Sequence, residues 1–235
     1  MEIGTPAWNR ILQDGGQQLG VGVSAAELTL LTRHAAELVR WNRKTNLTAI
    51  TAPDEIAIKH VLDAMAPLPQ IPAAAETLLD IGSGGGFPGL VLKILRPGLS
   101  VTLVEASRKK VSFLSHVIRT LGLKDARALH TRVEALVAEP QYRHGFDVIV
   151  CRALCALDAF VALALPLLAP GGQLFALKGR ANETDAEMAM VLSRFAKNST
   201  QNEPPETGGL VMTSVIYHLP YLNTERTLVI IQRAC

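Results

Sequence analysis

An acidic residue, Asp80, lies in an apolar run two positions ahead of the first of five glycines in LLDIGSGGGFPGL, Leu78 to Leu90. Glycines let a backbone turn sharply and lie against a ligand with no Cβ in the way. Pro88 suits the first turn of a helix, where a missing backbone N–H goes unneeded. The segment is therefore expected to aim a helix N-terminus, with its unpaired N–H groups and dipole, at a carboxylate or phosphate. Gly84, Gly86 and Gly89 match the G-x-G-x-x-G spacing of dinucleotide-binding loops, and Gly82, Gly84 and Gly86 match the G-x-G-x-G of adenosylmethionine-binding loops. Asp80 separates the two. A carboxylate beside a pyrophosphate is unfavourable, whereas it suits an ammonium and a sulfonium. A purely structural strand-to-helix turn is the remaining alternative.

A second carboxylate, Glu105, closes the next apolar run, SVTLVE, 25 residues after Asp80. At the end of a second strand it can accept both hydroxyls of a ribose. Thr131-Arg132-Val133-Glu134 follows a third run, where the backbone and Glu134 could reach an adenine. These residues need a sheet to align them, and the pattern supplies one. Strand-like TLLDI, SVTLVE, ARALHT, FDVIVC and QLFALK alternate with helices reaching Leu95 and Leu121, from Ala156 to Leu168 and near Glu183 to Phe195, with a short turn or helix after ARALHT. That alternation predicts a Rossmann-like α/β fold with a mostly parallel, doubly wound sheet. Runs at Leu210–Tyr217 and Arg226–Gln232 predict a C-terminal antiparallel hairpin, and Asn198–Gly209 reads as a loop. Upstream, Ser24-Ala25-Ala26-Glu27 is a capping box ahead of an amphipathic helix, and Thr51-Ala52-Pro53-Asp54 opens another through about Met65. Residues 1–70 are thus read as a helical extension packed on a ligand-binding domain spanning 71–235.

The chain has 235 residues, 49% of them hydrophobic, enough for one such domain with an extension. Its start, MEIGTPAWNR, lacks a secretory pattern, and the most apolar window, Ala153 to Ala169, is interrupted by Asp158 and Pro166. The three cysteines, Cys151, Cys155 and Cys235, have neither bridge nor zinc spacing. A reduced cytoplasmic protein is expected, with no membrane association and no metal. Net charge is only +2, yet Val91 to Arg152 carries 11 Lys or Arg against 5 Asp or Glu. That basic stretch is a solvated face or a surface for RNA phosphates.

Further motifs extend the reading over nearly the whole chain: WNRKTNLTAI at Trp41–Ile50, HVLDA at His60–Ala64, LVEASRKKVSFL at Leu103–Leu114, Arg132-Val133-Glu134, FDVIVCRAL at Phe146–Leu154, ALKG at Ala176–Gly179, and Glu225-Arg226. With the glycine loop, they resemble the bacterial 16S rRNA guanine-N7 methyltransferases, also called the glucose-inhibited division protein B family. The resemblance implies a class I S-adenosyl-L-methionine-dependent fold. It also implies methylation of N7 of one guanine near the decoding site, with 16S rRNA or the small ribosomal subunit as partner. By the family pattern, Gly82, Phe87, Val133, Glu134 and Arg152 contact the cofactor. Asp80, Ser83, Gly84, Glu105 and Ser107 join them from the loop and strand ends. Cys151 and Ala64 stand where the family often has Ser, at sites where a hydroxyl is not needed for the chemistry.

Guanine N7 is a lone pair with no proton to lose, so a sequence without an obvious general base is expected. The residues after the fourth strand, Cys151-Arg152-Ala153-Leu154, differ from the Asp/Asn-Pro-Pro-aromatic turn of exocyclic amine methylation. Cys151 reads as a small packed residue, with a cytosine-C5 nucleophile as the alternative. Arg152 is assigned to positioning, as a donor to the cofactor or to guanine O6. Arg43, Lys44 and Asn46, with Arg108, Lys109 and Lys110, are candidate RNA contacts, and Lys178 is either one more or a snorkelling surface residue. Trp41 is a core residue or a base-stacking platform, and His60 and Asp63 are a structural pair or part of the site. The competing functions are a small-molecule or protein methyltransferase, an NAD-binding oxidoreductase, and a non-catalytic RNA-binding or assembly protein. Nothing in the sequence calls for an obligate interface, so a monomer is expected.

Overall fold

A computed structural model describes residues 1–152, 156–198 and 209–234. Five strands, β1 (Thr77–Ile81), β2 (Ser100–Glu105), β3 (Ala126–His130), β4 (Phe146–Arg152) and β5 (Leu168–Lys178), pair in parallel. β6 (Leu210–Leu219) and β7 (Thr224–Arg233) form an antiparallel hairpin, and β7 joins the sheet along β5. The order β3-β2-β1-β4-β5-β7-β6 reverses direction between β1 and β4. In an open α/β sheet, that switch point opens a crevice beyond the strands' carboxyl ends.

The period-2 alternation of the central strands sorts their side chains into two cores. Leu78, Val148, Val150, Phe175 and Leu177 face one core; Leu79, Ile81, Ile149, Cys151, Leu174 and Ala176 face the other. The first is covered by α1 (Pro6–Gln18), α2 (Ala25–Thr45), the helix of residues 53–65, α5 (Gly89–Leu95) and α6 (Arg108–Leu121). The second lies under α7 (Val133–Ala138), α8 (Leu157–Ala164) and α9 (Ala181–Asn198). Trp8, Leu12, Leu31 and Leu38, from the N-terminal segment, are fully buried in the same core as Leu78 and Phe175. The N-terminal helices therefore form one layer of the sheet's own core. No helix among the described residues is long and apolar enough to cross a membrane.

Local signals explain most boundaries. Ser24 and Glu27 complete the reciprocal capping box at the start of α2, and Thr5 with Pro6 opens α1. Pro166 ends the helix expected to reach Leu168: α8 stops at Ala164, and a 3-10 turn covers Leu165–Leu167. Pro88 occupies the N-cap of α5, one place earlier than its expected first-turn position. The helix of residues 53–65 is not uniform. It begins as α3 (Pro53–Glu55), widens to a π-helix over Ile56–Leu62 and ends as α4 (Asp63–Met65). The expected turn at Ala153-Leu154, most of the Asn198–Gly209 loop, Cys155 and Cys235 lie outside the described residues.

Candidate active site

Four strand ends converge on one cleft of about 540 Å³. The end of β1 contributes Ile81 and the adjoining Gly82; the end of β2 contributes Val104, Glu105 and the adjoining Ala106; the β3–α7 turn contributes Thr131 and Arg132, and the start of α7 Val133 and Glu134; β4 contributes Arg152. Lys110, from the first turn of α6, completes its basic side. Gly82, Glu105, Val133, Glu134 and Arg152, all read from the sequence as cofactor residues, thus line one space.

The glycine loop rests on Glu105. One carboxylate oxygen accepts from the Gly84 N–H at 3.1 Å and the other from the Ser107 N–H at 2.8 Å. Gly84 has a left-handed φ of 54°, and a Cβ there would meet nothing nearer than 3.8 Å. The loop crest therefore stands open toward a ligand, as an adenosylmethionine cradle requires. Gly89 is the opposite case. A Cβ there would lie 2.6 Å from Asp80 Oδ2 and 2.5 Å from Leu103 Cδ2.

Asp80 departs from its expected role. Its carboxylate is 1% exposed and accepts the Gly89 N–H at 2.9 Å, so it caps α5 from below the loop. Burial raises its pKa to about 7, against the hydrogen bond from Gly89 that lowers it. Ser83 is buried too, its hydroxyl donating to Asp80 O.

Phe87 is likewise not a lining residue. Its ring stacks with His34 and with His60, at centroid distances of 4.8 Å each. His34 Nε2–H donates to Gly85 O at 2.8 Å, which anchors the loop to α2. Desolvation lowers the pKa of His34 to about 4, and desolvation with the Arg152 charge lowers that of His60 to about 3. Both imidazoles are neutral parts of the loop's support.

Arg152 is more committed than its sequence position implied. Nη1 donates to Lys59 O at 3.0 Å and to Asp63 Oδ2 at 3.3 Å, and Nη2 donates to His60 Nδ1 at 3.1 Å. His60 consequently donates from Nε2 to Thr48 Oγ1 at 2.8 Å. The π-helix that carries Lys59 and His60 had no signal in the sequence, since one wide turn leaves the apolar pattern intact; such turns are frequent at functional sites.

The two basic clusters lie on neighbouring helices. α2 and α6 lie side by side with Arg33 on Thr120 O, Glu37 on His116 and Trp41 against Phe113 and His116. That series brings the last turns of α2, with Arg43 and Lys44, toward the first turn of α6, with Arg108, Lys109 and Lys110. Asn46 caps α2 in a left-handed conformation, and Trp41 is packed between the two helices. Lys178 differs from its RNA-contact reading: its ammonium is 2.7 Å from Glu187 in an ion pair, and its side chain is 16% exposed. Cys151 is buried in the second core, as a small packed residue would be.

Residues 27–204 match the family model GidB, rRNA small subunit methyltransferase G. The chain belongs to this family. It is 40% identical to the ribosomal RNA small subunit methyltransferase G of Geobacter sp. (strain M21), over 95% of this chain and 96% of that protein. It is 41% identical to that of Myxococcus xanthus (strain DK1622), over 92% of each. The fold is shared with the O-methyltransferase from Bacillus cereus in complex SAH, at a TM-score of 0.55 and 17% identity over 86% of this chain and 91% of that one. The cofactor-bound Rv0187 from MTB has a TM-score of 0.56 and 15% identity over 85% and 88%. As a family member the chain is an rRNA-methylating enzyme whose cofactor is S-adenosyl-L-methionine. The open crest at Gly84 and the cleft lined by Glu105 and Glu134 fit that group.

Proposed function

We propose that the protein methylates N7 of a single guanine of 16S rRNA, G527 in the family's naming, near the decoding site. One observation carries this reading: Lys110 belongs to the basic α6 start and also lines the cleft, so the phosphate-attracting rim and the cofactor space are continuous. When bound, S-adenosyl-L-methionine supplies an activated methyl group on a sulfonium. On this reading Glu105 holds the ribose, Gly82 to Gly84 pass beneath the methionine portion, and Val133 with Glu134 border the adenine. Arg43, Lys44, Arg108, Lys109 and Lys110 hold RNA phosphates. In-line displacement by N7 then needs alignment and exclusion of water, and no proton has to be removed.

The neutral, hydrogen-bonded histidines support a base-free mechanism, because neither is poised to cycle a proton. Arg152 also fits it. A cation beside N7 would oppose the positive charge that develops on guanine, and this guanidinium is instead drawn onto Lys59 O, Asp63 and His60. The enzyme acts in the cytoplasm as a monomer. The test is transfer of labelled methyl from S-adenosyl-L-methionine to purified small subunits and to protein-free 16S rRNA, followed by nucleoside analysis. Label in N7-methylguanine, lost in Gly84→Asp, is the expected result. Label absent from both RNAs would point to a small-molecule or protein substrate.

A further inference from the structure

Asp63 is buried at the end of the π-helix, 6% exposed, and gathers side chains from three strands. Its Oδ2 accepts from Arg152 of β4, and its Oδ1 accepts the Tyr217 hydroxyl of β6 at 2.8 Å. Arg226 Nε of β7 stands 3.7 Å from the same Oδ1. Tyr217 and Arg226 are direct cross-strand partners in the hairpin register, so one rung of the C-terminal hairpin reaches a single carboxylate beside the cleft wall. The phenol is held in its donor form. Burial, with the Asp63 charge second, pushes its pKa up.

We infer that Asp63 and Tyr217 are positioning residues through which the C-terminal hairpin fixes the Arg152 guanidinium at the cleft. The inference rests on the methyl-transfer reading. Two arginines compete for one carboxylate, and the Tyr217 hydroxyl decides how it is shared. Without that donor, Oδ1 is left to Arg226, and the carboxylate can rotate away from Arg152. Arg152 would keep Lys59 O and His60 Nδ1 but lose the contact that sets its plane. Its guanidinium also lies 5.4 Å from the centre of the Phe87 ring, so a change in its plane reaches the glycine loop. Small misplacements of this kind are costly to a reaction that depends on alignment alone.

A double-mutant cycle on Tyr217→Phe and Arg152→Lys tests this, with rRNA methyl transfer as the readout. Tyr217→Phe is expected to lower kcat about tenfold while leaving the KM for S-adenosyl-L-methionine within about twofold, the loss of one hydrogen bond to a charged group. The double variant should fall within about twofold of Arg152→Lys alone, because Tyr217 acts only through Arg152. Losses that multiply, or a Tyr217→Phe enzyme equal to wild type, would overturn the inference. A second readout is independent of turnover. The Arg152 Nε–H resonance, assigned by its loss in Arg152→Lys, should shift in full-length Tyr217→Phe, and an unmoved signal would also overturn the inference. If wild type transfers no methyl to rRNA, the functional reading fails while the resonance still decides the network.

Discussion

The two imidazoles around Phe87 and the carboxyl of Asp80 make the loop's support sensitive to pH. His34 and His60, at about 4 and 3, bind fewer protons folded than unfolded up to the ordinary 6.5. Their contribution is present above pH 6.5 and is lost as pH falls toward those values. Asp80, raised from 3.8 to about 7, works in reverse, and its contribution declines as pH rises through that window. Two protons against one leave stability falling on acidification between about pH 6.5 and 4, by up to about 1.4 kcal/mol per pH unit. Urea unfolding at pH 6.5, 5.5 and 4.5 checks this; a midpoint that stays level or rises toward acid contradicts it. Gly89→Ala forces a Cβ against Asp80 and Leu103 and should cost about 1–3 kcal/mol in the same assay. The sequence showed Gly89 only as the third glycine of a dinucleotide-like spacing. Its role is packing over Asp80, which requires knowing where the carboxylate turns. For the same reason Asp80 was legible as a strand-end carboxylate ahead of the glycine loop but not as the cap of α5.

At the scale of elements, strand ends and helix starts were readable because each carries its own signal: an acid after an apolar run, glycines at the turn, a capping box. How helices pair is tertiary information. The basic residues of α2 and α6 lie far apart in the chain, and contacts such as Arg33–Thr120, Glu37–His116 and Trp41–Phe113 bring their two helices side by side. Neutralising Lys109 and Lys110 to Gln should therefore act on RNA affinity like neutralising Arg43 and Lys44. Each lost phosphate contact should reduce the slope of log affinity against log salt by about one. Filter binding of 16S rRNA over a salt series measures that slope, and an unchanged slope would reduce these residues to a solvated face. The π-helix, the Arg152 network and the reach of Tyr217 to Asp63 likewise join segments that no local pattern links.

For the whole molecule, the alternation of strands and helices gave the sheet, and the final runs gave its antiparallel edge. The division into 1–70 and 71–235 reflects Pro67, Pro69 and Pro72, which punctuate the chain between the helical and the alternating parts, whereas the core runs unbroken from Trp8 and Leu38 to Leu78 and Phe175. A fragment beginning at residue 71 would strip α1, α2 and the helix of residues 53–65 from the face they share with α5 and α6, and we expect it to lack the cooperative unfolding of the full chain; a sharp thermal transition in that fragment would show a separable domain. The N-terminal layer also brings His34 and the π-helix to the glycine loop, so the site depends on both parts. The most direct measurement is mapping of N7-methylguanine in small-subunit rRNA from cells with and without this protein. Loss of one N7-methylguanine, restored by wild type but not by Gly84→Asp, is the predicted result. An identical N7-methylguanine profile in the two cell lines would contradict the proposed reaction.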